Sequence, residues 1–131
     1  MSANTIGRVL WLWSPPVAEM AAIFFLSSRA APPIAAAVSD KVIHGVIYGI
    51  LALLILRAAA SGRWRGVSVG TVGVAVALTG LYGMIDEWHQ SFVPSRTAEW
   101  ADVVADVCGG SLAAGAAWTW DIITHARDRS A

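Results

Sequence analysis

Charge is scarce in this chain. Of 131 residues, 14% are Asp, Glu, Lys or Arg, where a soluble domain carries about one quarter. Basic and acidic side chains number nine each and cancel. No basic footprint for nucleic acid exists, so none is expected as a partner. Cysteine is scarcer still. The single Cys108 excludes an internal disulfide, and its place in an apolar run reads as packing. No polar stretch is long enough for a separate soluble unit, so residues 1–131 are read as one domain. Gly-x-Ser-x-Gly, P-loop, His-Glu-x-x-His and Cys-pair motifs are all missing. No cofactor is expected, and no metal, although His44 among several carboxylates could hold a divalent ion through oxygen ligands.

What is abundant is apolar. The chain is 56% apolar with a mean hydropathy of +0.60, and it holds seven tryptophans, which favour membrane interfaces. Four runs approach the roughly 20 residues that a bilayer-spanning helix needs. They are Val9 to Ser28, Val42 to Ala60, Gly66 to Ile85 and Val103 to Ile123. The expectation is an all-α integral membrane bundle of four transmembrane helices. A cleaved signal peptide rivals the first run, but Pro15-Pro16 and the lack of a small-x-small site weigh against it. Ser14 as cap and Pro15 at the first position predict a fresh helical segment there, placing Glu19 near a favourable helix start.

With four spans, Arg8, Arg57, Arg63, Arg65, Arg127 and Arg129 share one side, and Arg29, Lys41 and Arg96 the other. The positive-inside rule then puts both termini in the cytoplasm. Three polar stretches converge on the outer side. They are Asp40-Lys41 with His44 and Tyr48, then Asp86-Glu87 with Gln90, then Arg96 with Asp102 and Asp106. Ionisable groups at membrane depth are expensive and usually mark function or a buried pair.

Spacing sharpens the cluster. Lys41, His44 and Tyr48 stand at i, i+3 and i+7, one helical stripe. Asp86 and Gln90 are four apart, as are Asp102 and Asp106, so each pair shares a face. Two acids so placed need a cation or a shared proton, and Lys41 and Arg96 are the candidate cations by level. Asp40 suits the N-cap of span two. Phe92-Val93-Pro94-Ser95 breaks the chain between spans three and four. Thr97 then suits the next N-cap, with Glu99 in the first turn. Trp88 and Trp100 read as interfacial anchors. Gly45 with Gly49, and Gly109 with Gly110 and Gly115, permit close helix approach.

Together these residues resemble the VanZ-like family. The matches are Asp40, Lys41, His44 and Tyr48; Tyr82, Gly83, Asp86, Glu87 and Gln90; Phe92, Pro94 and Arg96; Asp102; and Gly109, with Phe24 to Ser28 similar to the ending of the family's first span. The resemblance covers Phe24 to about Gly115. Asp106 departs from the pattern, which usually has Asn there. The resemblance implies a small multi-pass protein of the bacterial cytoplasmic membrane. It also implies an envelope role linked to glycopeptide (teicoplanin) resistance, with no established reaction.

Three functions fit the residues. In the first, an outer-face pocket engages an anionic, lipid-linked cell-wall precursor in contact with membrane lipid. Asp40, Lys41, Tyr48, Gln90, Arg96 and Asp106 would line it. In the second, an outer-leaflet enzyme uses His44, Asp86, Glu87 and Asp102 for acid–base chemistry on a lipid-linked or peptidoglycan substrate. The third is a structural bundle locked by ion pairs. Homo-oligomers are open, because glycine-rich faces serve neighbours within or between chains.

Overall fold

The computed structural model describes residues 3–29, 39–94 and 96–130, with side chains described from residue 4 to 124 within them. Ser95, and the side chains of Arg127 and Arg129 used in the charge count, lie outside the described residues. The described residues form four helices: α1 (Ala3–Ser27), α2 (Asp40–Ala59), α3 (Val69–Gln90) and α4 (Trp100–Ser130). Each coincides with one apolar run. Three of them, Asn4–Ser27, Asp40–Ala59 and Val69–Gln90, are long and apolar enough to cross a membrane. α4 falls short of that measure, because its acids, glycines, Ser111 and Thr119 dilute its valines and alanines.

α2 is the centre of the bundle. Leu51, Ala52, Ile55 and Leu56 are fully buried, and Tyr48 nearly so. α4 packs most closely on α2 and next on α3, while α1 lies against α2 and α3. The α2–α4 crossing is tight because Gly45 and Gly49 face Gly109 and Ala113. A methyl group added at Gly109 would fall inside the backbone of Gly45. This is the small-residue packing that lets helix backbones touch. Cys108, expected to pack, is exposed beside this crossing.

Three local expectations are corrected. α1 runs unbroken through Pro15 and Pro16. Pro15 cannot donate to the Trp11 carbonyl, and the Ser14 hydroxyl does so instead at 3.3 Å, a common repair of proline gaps in apolar helices. Glu19 therefore lies mid-helix, half-buried, and makes no hydrogen bond or ion pair among the described residues. Asp40 is the first residue of α2, not its cap; Ser39 holds that place without a side-chain capping bond. α4 begins at Trp100, so the cap position falls on Glu99 and not Thr97, which lies in the irregular residues 96–99.

The connection between α2 and α3, through Gly62 and Gly66, is held firmly. α2 ends with Ser61 at φ 57° and Gly62 at φ 79°. Gly62 N–H donates to the Arg57 carbonyl at 2.7 Å and Ser61 N–H to that of Ala58 at 3.0 Å, a Schellman closure. Arg8 of α1 donates to the Ser61 carbonyl at 3.0 Å. Asp121 of α4 is buried and accepts from Gly66 N–H at 3.2 Å and Val67 N–H at 2.9 Å. Ser68 and Thr71 then form a capping box that starts α3.

Candidate functional site

At the opposite end, the last turns of α1 and α3 meet the first turns of α2 and α4. A cavity of about 320 Å³ opens between them. Ile23, Leu26, Ile43 and Ile47 form its apolar wall. His44, Tyr48, Asp86 and Gln90 supply polar groups, Asp40 lies along it, and Arg29 and Arg96 stand at its more exposed edge. Six of the ten residues singled out in the sequence therefore share one cavity. Lys41, Glu87, Asp102 and Asp106 do not line it; Lys41 pairs with Asp102, Glu87 bonds Gln90 and Glu99, and Asp106 bonds His44.

The i, i+4 reading of α3 is realised directly. Gln90 Nε2 donates to Asp86 Oδ2 at 2.9 Å and reaches Glu87 Oε1 at 3.3 Å. The other oxygen of Asp86 accepts from the Ser27 hydroxyl at 2.6 Å. Asp86 is thus buried and held by neutral donors from two helices. Glu87 accepts from Glu99 N–H at 2.8 Å. It ties the end of α3 to the start of α4, whose unpaired N–H groups favour an anion.

Lys41 pairs with Asp102, as its level suggested, and also with Glu99 at 2.7 Å. The ammonium holds the exposed Glu99 carboxyl below the ordinary carboxylate range. Arg96 is placed differently from expectation. Its Nε donates to the Arg29 carbonyl at 2.9 Å, and it has no carboxylate at ion-pair distance among the described residues. Arg29 lies 4.1 Å over the Phe25 ring.

His44 meets neither Asp86 nor Asp102 directly. Its Nδ1 is 2.9 Å from Asp106 Oδ1, and Asp106 is fully buried against Gly83. Asp106 is thus the acid that orients the histidine. The His44 and Tyr48 rings lie parallel, 6.0 Å apart. The Tyr48 hydroxyl is buried and finds no hydrogen-bond partner, although it sits in the field of Asp86 and Asp106. Behind it, Tyr82 donates to the Met20 carbonyl at 2.5 Å and fastens α3 to α1.

A sequence model of the VanZ/LLP1 family matches residues 3–122. The chain belongs to the VanZ/LLP1 family. No curated protein and no solved structure matches it. In this VanZ/LLP1 protein the motif residues fall into two groups: those that line the cavity and those that brace it. Sequence reasoning passed over Ser27, Arg29 and Glu99 as site residues. Ser27 carried a signal, since it lies in the Phe24 to Ser28 stretch similar to the family's first span. Arg29 and Glu99 carried none beyond their charge.

Proposed function

We propose that this VanZ/LLP1-family protein crosses the bacterial cytoplasmic membrane four times, with both termini in the cytoplasm. Its outer-face cavity binds an anionic envelope component, a lipid-linked phosphate. α4 supports the fourth span by length: its 31 residues extend about 46 Å at 1.5 Å per residue. Basic residues gather at the Asp121 end, which fits a cytoplasmic face.

The observation that carries the ligand reading is the pairing of an apolar wall with guanidinium groups that no carboxylate holds among the described residues. Ile23, Leu26, Ile43 and Ile47 suit an acyl or prenyl chain, and Arg96 and Arg29 stand at the edge of the same space. A guanidinium fork is well matched to phosphate. Lys41, already held by Glu99 and Asp102, is a brace for the acids in this reading and not the main anion contact. Sequestering such a precursor at the outer face is a route to altered glycopeptide (teicoplanin) susceptibility.

Thermal melts of the purified full chain test this. A polyprenyl phosphate is expected to raise the melting temperature, and the matching polyprenyl alcohol is not. Arg96→Ala should weaken phosphate-lipid binding about tenfold or more, the scale of one charge-assisted hydrogen bond. Equal stabilisation by the alcohol, or none by either lipid, defeats the reading. The His44–Asp106 pair favours one second reading, hydrolysis of the bound lipid with His44 as general base. Release of inorganic phosphate that disappears in Asp86→Asn and His44→Gln would establish it.

A further inference from the structure

The cavity end of the bundle carries more acid than base. Asp40, Asp86, Glu87, Glu99, Asp102 and Asp106 stand there against Lys41, Arg29 and Arg96. Neutral donors satisfy Asp86 and Glu87, and Lys41 answers Glu99 and Asp102. Asp40 is left with no hydrogen bond or ion pair among the described residues. Half-buried carboxylates in such excess call for a cation.

We propose that Asp40, His44 and Asp102 bind a divalent metal ion at the edge of the cavity. One donor atom from each lies within 4.8 Å of the others. Three donors sharing one ion through bonds near 2.1 Å stand about 3.0–3.6 Å apart. Side-chain rotations of about 1 Å therefore close the site. Lys41 grips Asp102 through Oδ1, so the second carboxylate oxygen is the one offered to the ion.

Two further observations point to the same place. Asp106 holds His44 Nδ1 at 2.9 Å, the carboxylate–histidine arrangement that stands behind most metal-ligating imidazoles. It fixes the ring and leaves Nε2 as the ligating nitrogen. Tyr48, only 2% exposed, presents an unpartnered hydroxyl to the same cavity. One imidazole and two carboxylates suit an ion of intermediate hardness, such as Mn²⁺ or Zn²⁺. Three protein ligands leave positions open towards the cavity, where the ion adds a positive pole opposite Arg96.

The test is a titration of lipid-free, EDTA-stripped full chain with Mn²⁺, followed by electron paramagnetic resonance. The expected result is one bound Mn²⁺ per chain with ¹⁴N modulation from an imidazole. His44→Gln should abolish the nitrogen modulation and His89→Gln should leave it. Asp40→Asn should weaken binding about tenfold or more, without moving the melting temperature of the metal-free protein. Asp102→Asn also breaks the Lys41 pair, so Asp40→Asn is the variant that decides. The proposal is overturned by the absence of stoichiometric binding. Binding that Asp40→Asn and His44→Gln leave unchanged, as for adventitious surface carboxylates, also overturns it. Because no lipid is present, failure here leaves the lipid reading of the cavity standing.

Discussion

The two ends of this bundle use buried carboxylates in opposite ways. At one end Asp121 is closed off by two backbone N–H groups, and the turn it holds leads into a capped helix. At the other end, among the described residues, Asp40 has no bonded partner, Asp106 Oδ2 and the Tyr48 hydroxyl are buried without one, and Arg96 bonds only a carbonyl. A buried polar group without a partner costs about 1–3 kcal/mol. A fold tolerates several together, next to a cavity, where a ligand completes them. On the proposed function, the Asp121 end is the brace and the cavity end, with its unsatisfied groups, is the site.

The largest perturbation tests what both ends share. Gly109→Leu would force α2 and α4 apart at Gly45 and is expected to destabilise by about 3 kcal/mol or more, as overpacking does. Denaturant unfolding and lipid-dependent melting measure it together. Loss of stability with the lipid response intact would mean that the close crossing does not position the cavity.

Asp121→Ala separates the ends. It strands two backbone donors and should cost about 2–3 kcal/mol, read as a lower unfolding midpoint. The melting increment given by phosphate lipid should persist. Disappearance of that increment would erase the distinction drawn between brace and site.

Ser61→Gly probes the brace in the other direction. Ser61 sits at φ 57°, where glycine avoids the left-handed penalty. A gain of about 0.5–1 kcal/mol is expected, again without effect on the lipid response.

The smallest effect concerns pH at the cavity end. Lys41 depresses the Glu99 pKa, so the unfolded chain binds that proton more readily than the folded one. The contribution is complete above the ordinary glutamate pKa and is lost as pH falls through the depressed folded value. Glu99→Gln should therefore narrow the fall in melting temperature between neutral and acidic pH. Identical acid limbs for the two proteins would remove Glu99 from the network.

Much of the architecture was legible because it depends on local properties. Apolar runs of bilayer length became helices, since backbone groups among apolar side chains must pair internally. The i, i+4 contact between Asp86 and Gln90 follows from helix geometry alone. The Lys41–Asp102 pair followed from level, because two helix ends on one side bring a lone cation to the nearest acids. The proline reading failed because Ser14 supplies the donor that Pro15 lacks, a repair visible only once the helix is built. Arg96 was read as a partner for acids by its level. Its short loop instead lays it across the Arg29 carbonyl.

From the sequence alone came the four helices, the end at which their ionisable residues gather, and the family, since each follows from hydropathy, helical period and motif order. Tertiary structure decided which acids would be answered by a neutral donor, which by Lys41 and which not at all. It also decided that His44 would turn to Asp106. Those choices depend on the angle and depth at which helices cross, and at Gly45 and Gly109 that depth is set by contact between two backbones.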